Sequence, residues 1–307
     1  MSAAPAGSVV AVGGGHGLAR ALTALRALHV EPTALVTVAD DGGSSGRLRR
    51  DLDIIALGDL RNALVTLARN GPLAEVLDHR FSRGELEGHA LGNLLLVALA
   101  EQAGGDYVAA LGRAAALLDA AGRVLPSTTE PVQLKARVSG QEVAGQVQVA
   151  TASGRVERVW LEPDDPPACA DAVAALRRAS LVVLGPGSLF TSVIASLLVP
   201  GVAAALADTR ATVVYVANLL TQPGETSGLG VGAHVEALLS HVPGLRIDAA
   251  LLHDGAPSPG PGEPLGTDLD PSLADQVVRV DLASRRQGGH DPQRLAAALR
   301  RFVERAG

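Results

Sequence analysis

Two glycine-rich turns in the sequence could bind an anion through their backbone amides. Gly13-Gly14-Gly15-His16-Gly17 separates a short apolar run from an Ala/Leu-rich stretch, which is the pattern of a strand, a tight turn and a helix. Gly185-Pro186-Gly187-Ser188 stands in the same setting and leads into Thr191. A helix N-terminus offers free N–H groups and about half a positive charge. Two such turns on one sheet would suit a diphosphate, and ordinary tight turns are the alternative.

Two acids, two hydroxyls and an Arg follow the predicted second strand. The sequence there reads Asp40-Asp41-Gly42-Gly43-Ser44-Ser45-Gly46-Arg47. Carboxylates suit ribose hydroxyls or Mg²⁺, so a Mg²⁺ ion would bind through Asp40 or Asp41. Asp40 follows Gly13 by 27 residues, more than the roughly 20 of a dinucleotide fingerprint, which disfavours NAD. Ser44 lies in a formal G-x-S-x-G but lacks the setting of a nucleophile elbow, and a solvated turn is the alternative for the whole stretch.

A second group of polar side chains lies at predicted helix starts. Asp59, Arg61 and Asn62 open the next predicted helix, where Asp59 would be the N-cap. His89 and Asn93 are four residues apart, so one helix face could carry both. Each group has a structural alternative, a capping acid in the first case and a hydrogen-bonded core His in the second.

Uncharged amides follow a later strand, which is predicted for Thr212 to Ala217. Asn218, Gln222 and Glu225 lie directly after it. Side-chain amides in this place could recognise a nucleobase or an acetamido group. Because ligands of parallel sheets bind outside the carboxyl ends of the strands, we expect these residues near the glycine turns.

The elements that must position these residues alternate between strands and helices. That alternation predicts an α/β, Rossmann-like, doubly wound fold with a mainly parallel sheet and helices on both faces. We expect a single domain over residues 1–307, with a small antiparallel β insertion at about 131–162. The segment 254–271 is rich in Pro and Gly and is predicted to be a loop or lid.

The insertion is predicted from an apolar pattern of period two. Residues 132–138 alternate between apolar and more polar types, and Ser139-Gly140 marks a turn. Val147 and Val149 continue a second run, and Val156 to Leu161 forms a third. Short turns between alternating runs predict an antiparallel meander.

Composition excludes several classes of function. The net charge is −6 and only 2% of the residues are aromatic, so nucleic-acid binding is not expected. Cys169 is the single cysteine, which excludes an internal disulfide and a Cys-rich zinc site. Lys135 is the single lysine and does not follow a glycine, which excludes a Walker A loop.

Neither a secretory signal nor a membrane span is predicted. The start MSAAPAGSVV lacks a basic n-region. The uncharged run from Ala179 to Ala207 is long enough to span a bilayer, but the second glycine turn and Pro200-Gly201 divide it into a buried strand and a buried helix. We therefore expect a cytoplasmic location, and a symmetric homodimer is the base-rate expectation.

Seven motifs along most of the chain resemble the YvcK family of gluconeogenesis factors, described as UDP-N-acetylglucosamine-binding proteins. The matching stretches are Gly13–Leu18, Val36–Arg49, Gly58–Asn62, Gly88–Leu95, Val124–Pro126, Gly185–Ser192 and Asn218–Thr226. The resemblance implies a role in carbon metabolism, cell shape and cell-wall growth. It also implies a Rossmann-like fold shared with 2-phospho-L-lactate transferases, which use Mg²⁺ to join a phospholactyl group from a guanosine diphosphate donor to a deazaflavin.

Two positions depart from the family pattern near the last helix. Gly289 stands where the family usually carries the Arg of an Arg-His-Asp motif, so a nucleotide contact is absent unless Arg285 or Arg286 replaces it. Pro292 stands where some relatives carry a phosphorylated Thr, so that control is not expected here. Gly185 to Ser188 also differs from the Pro-Ser-Asn-Pro turn typical of the transferases, which separates this chain from that branch.

We therefore interpret the chain as a regulatory protein that binds UDP-N-acetylglucosamine, with no catalytic residue assigned. The two glycine turns would hold the diphosphate, Asp40 and Asp41 would meet ribose or a metal, and the amides would contact base or sugar. The other candidates named above are assigned to ligand binding as well. The alternative is a Mg²⁺-dependent transferase acting at a nucleotide diphosphate, with metal and charge supplied by Asp40, Asp41, Asp59 and Arg61. An NAD-linked oxidoreductase is a third hypothesis that rests on fold analogy alone.

Overall fold

A computed structural model describes residues 8–256, 258–285 and 288–307 of the chain. The strands in these ranges are β1 (Val9–Gly13), β2 (Thr33–Val36), β3 (Arg123–Pro126), β4 (Gln133–Val138), β5 (Gln141–Ala144), β6 (Val156–Glu162), β7 (Leu181–Leu184), β8 (Thr212–Val216), β9 (Ala249–His253) and β10 (Gln276–Val280). Seven of them pair in parallel in the order β10-β9-β8-β7-β1-β2-β3, and the other three form a separate antiparallel sheet. The predicted Rossmann-like α/β fold with a small antiparallel sheet is confirmed.

The central strands of the main sheet are buried on both faces. Every residue of β1 and β7 is buried, and their sequences, VVAVG and LVVL, are continuous apolar runs. Such runs are typical of parallel strands that helices cover on both sides. The chain adds strands outward from β1 in one direction and from β7 in the other, so the strand order reverses between them. Ligands of open α/β sheets bind at such a switch point, outside the carboxyl ends of the strands.

Helices connect these strands and cover the sheet. They are α1 (Gly15–Ala27), α2 (Gly43–Leu52), α3 (Gly58–Leu67), α4 (Gly71–Asp78), α5 (Leu91–Gln102), α6 (Tyr107–Leu117), α7 (Gln146–Ala150), α8 (Ala170–Arg178), α9 (Ala195–Leu197), α10 (Pro200–Ala207), α11 (Val231–His241) and α12 (Pro292–Ala306). A π-helical segment, Leu189–Ile194, continues directly into α9. In α12 the apolar residues Leu295, Leu299 and Phe302 are buried at helical spacing, and this face helps α12 to pack against α1.

Two local interpretations near the carboxyl edge of the sheet are wrong. The stretch Gly42 to Gly46, for which a solvated turn is the alternative, forms the start of α2, where the Gly46 N–H donates to the Gly42 carbonyl at 2.9 Å. Asp59 is not the N-cap of α3, because the helix begins at Gly58 after Leu57. The Asp59 carboxylate instead accepts the backbone N–H of Gly15 in α1, a partner distant in sequence.

The small sheet has a different connectivity from the predicted meander. Its strands are antiparallel as expected, but β4 lies in the centre in the order β5-β4-β6. Val147 and Val149 lie in α7 rather than in a strand, because Gly145, at φ 103°, turns the chain away from β5. The two carboxylate oxygens of Asp41 then accept the N–H groups of residues 146 and 147 at 3.1 and 3.0 Å. A cap supplied from outside the segment therefore decides between strand and helix.

The long apolar run forms β7, the π-helical segment with α9, and α10. The predicted buried strand and buried helix are both present, and the first six helical residues take the π form. Within the described ranges no single helix combines the length and apolarity needed to cross a membrane. Leu189–Leu197 and Pro200–Ala207 meet those criteria only as a pair, which is bent by 81°.

The segment 254–271 forms no helix or strand in its described residues, as predicted. Hydrogen bonds tie it to the chain that follows β8: the Leu265 N–H donates to the Leu219 carbonyl at 3.1 Å, and the Thr221 N–H donates to the Glu263 carbonyl at 2.8 Å. The loop is therefore fastened beside the end of β8, next to the switch point.

Candidate functional site

A cleft of about 600 Å³ opens at the carboxyl edge of the main sheet, beside the switch point between β1 and β7. This main cleft is lined by both glycine turns, by residues 218–222 after β8, and by the loops that carry Ser258 and His290. Ligand sites in proteins typically measure about 300 to 1,000 Å³ and favour such switch points. The fold thus brings the two predicted anion-binding turns to one site.

The two glycine turns pack directly against each other. A Cβ atom on Gly17 would overlap the carbonyl oxygen of Pro186 and would lie 2.6 Å from the Cα of Gly187. Gly15 has a φ of 56°, in the left-handed region that favours glycine, and lets the chain turn from β1 into α1. The G-x-G-x-G spacing therefore has a physical reason: Gly15 makes the turn, and Gly17 allows the two glycine turns to approach each other closely.

Asp59 and Asp40 form an acidic wall of the main cleft. Asp59 accepts the N–H of Gly15, so it partly neutralises the N-terminus of α1. Asp40 accepts the N–H of Gly42 at 3.1 Å. Burial, reinforced by the charge of Asp40, raises the pKa of Asp59 to about 6, and burial also raises the pKa of Asp40. The wall can therefore change its charge close to neutral pH.

Replacing Asp59 by Asn should make stability less dependent on pH. The native carboxyl keeps its proton up to about pH 6, whereas the unfolded chain loses it near 3.8. Between these values the native state binds more protons, so the free energy of unfolding falls as the pH rises. Above pH 5 only the interval up to about pH 6 contributes, so wild type should lose about 1 kcal/mol more than Asp59→Asn between about pH 5 and about pH 8.

Urea unfolding of both proteins at the two pH values measures this difference. Asp164→Asn, at an exposed acid, is the matched control and should follow wild type. Equal losses in wild type and in Asp59→Asn would show that the Asp59 carboxyl titrates normally in the native state.

Glu225 caps the π-helical segment from inside the protein. One carboxylate oxygen accepts the N–H groups of Phe190 and Thr191 at 2.7 and 3.1 Å, and the other accepts the Thr191 hydroxyl at 3.1 Å. The residue is only 4% exposed. Burial raises the pKa of Glu225, and the three donors oppose that effect. Two amides at the start of this helix are thus already paired with a carboxylate, and Glu225 does not line the main cleft.

Asn218 and Gln222 connect the end of β8 to the second glycine turn. Asn218 accepts the N–H of Gly187 at 3.2 Å and donates to the carbonyl of Gly187 at 2.9 Å. Gln222 donates to the Ser188 hydroxyl at 2.8 Å and accepts from Asn218 at 3.3 Å. Both amides also line the main cleft, so they hold the shape of the turn at the ligand-facing surface.

Arg20 supplies positive charge to the main cleft and was missed by the sequence reasoning. It lies three residues after Gly17 in α1, so it shares the helix face on which the first turn ends. The spacing of three residues from Gly17 was the signal in the sequence that could have identified Arg20. Gln146 also lines the cleft, but only because Asp41 holds α7 in place, and nothing in the local sequence indicates this.

The structure shows where Gly289 and its neighbours lie relative to the main cleft. Gly289 lines the main cleft, and its N–H donates to the Ser258 hydroxyl at 3.0 Å. Arg285, a candidate replacement for the family Arg, donates to Asp281 at 2.7 Å instead of lining the cleft. Arg286 lies outside the described residues. His290 is buried beside the cleft, where its Nε2 lies 3.0 Å from the Ala217 carbonyl and burial lowers its pKa to about 4.

A smaller cavity of about 260 Å³, the side pocket, adjoins the main cleft, and Asp40 and Asp59 line both. Ser44 accepts a hydrogen bond from Asn93 Nδ2 at 3.0 Å and lies 3.1 Å from His89 Nδ1. Burial lowers the pKa of His89, which favours a neutral ring that can accept the Ser44 hydroxyl hydrogen. His89 precedes α5 instead of sharing its face with Asn93, so that prediction is wrong, although the two side chains do meet at Ser44.

The predicted site residues fall into three groups by position. The main cleft is lined by Gly14, Gly15, His16, Gly17, Asp40, Asp59, Pro186, Gly187, Ser188, Thr191, Asn218 and Gln222. The side pocket is lined by Asp40, Gly42, Gly43, Ser44, Asp59, Arg61, Asn62 and Asn93. The lining of neither cavity includes Gly13, Asp41, His89, Gly185 or Glu225.

Carboxylates suited to a metal are few at this site. Among the described residues no group of three or more His, Cys, Asp or Glu side chains gathers in a geometry that could hold an ion. Asp40 lies close enough to Asp59 for its charge to raise the pKa of Asp59, and a divalent cation bound between them would reduce this repulsion. Asp41 is committed to the amides of α7, so of the two predicted Mg²⁺ ligands only Asp40 faces the cleft.

Comparisons with known proteins agree with the motifs. The family model described as "2-phospho-L-lactate transferase CofD" matches residues 9–289. A Mycobacterium tuberculosis protein named "Putative gluconeogenesis factor" is 47% identical over an alignment of 305 residues that covers 95% of this chain and 89% of that protein. The "Gluconeogenesis factor" of Halalkalibacterium halodurans is 42% identical over 249 residues, covering 80% of this chain and 77% of that one. A crystal structure of an upf0052 family member from Bacillus halodurans gives a TM-score of 0.90 at 35% identity, covering 95% of this chain and 98% of that one.

A Rossmann-like sheet with a cleft at its switch point places the protein among the α/β proteins whose site lies at the carboxyl edge of a parallel sheet. Within that class, the chain belongs to the CofD family, in the branch of the YvcK gluconeogenesis factors. The family resemblance seen in the seven motifs is thereby confirmed.

Proposed function

We propose that the main cleft binds a nucleotide diphosphate sugar of the UDP-N-acetylglucosamine kind, and that the protein is a regulator linking carbon metabolism to cell shape and cell-wall growth. The direct contact between the two glycine turns supports the binding part most strongly. The N-terminus of α1 at the first turn suits one phosphate group, and the Ser188 hydroxyl of the abutting second turn can donate to the next, since the Gly187 N–H is bonded to Asn218. The regulatory part rests on the family of gluconeogenesis factors and on the resemblance to YvcK proteins.

The remaining walls of the main cleft match the rest of such a ligand. Arg20 adds positive charge beside the first turn, where a diphosphate would lie. Asp40 and Asp59 offer acceptors for ribose or sugar hydroxyls. Asn218 and Gln222 offer both donors and acceptors, which suits an acetamido group or a uracil ring.

Replacing Gln222 by Glu should weaken binding of UDP-N-acetylglucosamine about tenfold or more, because a carboxylate would then face the diphosphate. The substitution is nearly isosteric, and its oxygens can accept from both the Ser188 hydroxyl and Asn218, the two present partners. The fold should therefore be preserved. Isothermal titration calorimetry of the full chain measures the affinity.

Gln141→Glu provides the control for added charge. Gln141 is exposed in β5 and lines neither cavity, so its replacement should leave the affinity unchanged. The proposal fails if wild type does not bind the nucleotide sugar, or if Gln222→Glu binds it as tightly as wild type does.

The acidic wall favours a second candidate function, a Mg²⁺-dependent transferase acting at a nucleotide diphosphate. Asp40 and Asp59 are the residues that would hold the ion, which when bound would neutralise charge on the diphosphate. Phosphorus NMR of the protein with a nucleotide diphosphate donor, Mg²⁺ and candidate acceptors tests this function. Loss of the donor signals supports the transferase, whereas an unchanged donor across those acceptors supports the regulator.

A further inference from the structure

We infer that the side pocket binds the phosphoryl group of a second small molecule, either inorganic phosphate or a phosphate monoester, whatever ligand occupies the main cleft. The first turns of α2 and α3 line the pocket, and Asn93 from the first turn of α5 completes it. None of these three helices receives a hydrogen bond from its own N-cap side chain. The two helix N-termini of α2 and α3, which meet around one space, favour an anion there.

Two buried polar atoms on the pocket wall point independently to a ligand. They are Nε of Arg61 and Oδ1 of Asn93, and neither has a hydrogen-bond partner. The two residues are only 3% and 1% exposed. Buried polar groups in native proteins are nearly always paired, so both atoms call for a partner that the protein itself does not provide.

Neighbouring side chains already occupy the other polar atoms of both residues. Asn93 uses its Nδ2 to donate to Ser44, whose hydroxyl hydrogen goes to His89, so Oδ1 stays available as an acceptor. The terminal nitrogens of Arg61 are bonded to Asp78 and, at 2.6 Å, to Asn62, so Nε stays available as a donor. A ligand must therefore offer an acceptor to Arg61 and a donor to Asn93.

A singly protonated phosphate offers both groups at once. Its oxygens can accept from Arg61 Nε and from the helix amides, and its P–OH can donate to Asn93. The second pKa of a phosphate monoester lies at about 6, so about one-tenth of it keeps this hydrogen at pH 7, whereas inorganic phosphate keeps at least one hydrogen at that pH. Sulfate has no hydrogen to donate at that pH, and a neutral sugar hydroxyl would leave the helix N-termini without a negative charge.

Asp40 and Asp59 also line the pocket and their negative charge opposes an anion there, but burial raises the pKa of both carboxyls and so reduces that charge. Asp59 accepts the N–H of Gly15 in α1, and Asp40 accepts the N–H of Gly42 at 3.1 Å. Arg80 lines the same pocket and is exposed, so it supplies positive charge on the solvent side. An incoming phosphate would thus meet Arg80 first and Arg61 at its final position.

Phosphorus NMR titration of the full chain tests the proposal, with line broadening of inorganic phosphate and of glycerol 3-phosphate as the two readouts. Gln222→Glu is used as the parent protein, because its main cleft repels phosphate. Adding Asn93→Asp to this parent should weaken binding about tenfold or more, since a carboxylate replaces the acceptor. Adding Arg80→Ala should weaken it roughly three- to tenfold. Arg83→Ala, at an exposed Arg three residues further along the chain that does not line the pocket, is the matched control.

The outcomes separate the proposal from its competitors. Tighter binding of glycerol 3-phosphate than of phosphate identifies a monoester as the natural ligand, and the reverse identifies inorganic phosphate. The proposal is overturned if neither probe binds, if Asn93→Asp and Arg80→Ala both bind like the parent, or if sulfate competes as well as phosphate. Should Asn93→Asp fail to fold by circular dichroism, the exposed Arg80→Ala decides alone. Failure of nucleotide-sugar binding is measured separately and leaves this result unaffected.

Discussion

Gly17→Ala should destabilise the protein by about 3 kcal/mol and abolish ligand binding in the main cleft. The new Cβ would overlap the Pro186 carbonyl oxygen and would lie 2.6 Å from Gly187 Cα. Both are backbone atoms, which cannot rotate away as the end of a flexible side chain can, so the two turns must separate. Thermal unfolding and UDP-N-acetylglucosamine affinity, measured on the same preparation, give the two readouts.

Two other glycines provide matched controls for the Gly17 substitution. A Cβ at Gly15 would meet no atom within 4 Å, so Gly15→Ala should show only the cost of a left-handed L-residue, about 1 to 2 kcal/mol. Gly112, exposed in α6, also has open space around it, and Gly112→Ala should stabilise the helix by up to about 1 kcal/mol. If Gly17→Ala were no more destabilising than Gly15→Ala, the two turns would not be in contact in solution.

The main sheet and its glycine turns could be predicted because their signals are local. The strands β1 and β7 are continuous apolar runs, and such a run can be recognised without a distant partner. The strand–turn–helix pattern around Gly13 to Gly17 is likewise complete within about 20 residues. Both turns could then be placed at one site, because ligands of parallel sheets bind outside the carboxyl ends of the strands.

The roles of three acids could not be predicted, because each depends on an amide distant in sequence. Asp41 caps the start of α7, 105 residues further along the chain, and Glu225 caps a helix 35 residues before it. Asp59 accepts the N–H of Gly15 in α1 instead of capping its own helix. The sequence shows an acid beside a glycine-rich stretch in each case, but only the packed fold shows which N–H groups it meets.

Replacing Glu225 by Ala should lower the free energy of unfolding by about 3 kcal/mol. The substitution leaves the N–H groups of Phe190 and Thr191, and the Thr191 hydroxyl, without their acceptor in a buried place. Each unpaired group costs about 1 to 3 kcal/mol, and the total is below the sum because the three relax together. Denaturant unfolding measures the loss. Because Thr191 lines the main cleft, ligand affinity should fall as well.

Glu225→Gln separates the acceptor geometry from the charge. The amide oxygen can still accept from both N–H groups, and the new NH₂ can donate to the Thr191 hydroxyl, so the loss should stay near about 1 kcal/mol. Burial raises the pKa of Glu225, so the native state of wild type binds this proton more readily than the unfolded chain. Wild type should therefore gain stability relative to the Gln variant as the pH falls toward the unfolded pKa of the carboxyl. If Glu225→Ala were as stable as wild type, the π-helical segment would not depend on Glu225 as its cap. The N–H groups of Phe190 and Thr191 could then bind a ligand phosphate directly.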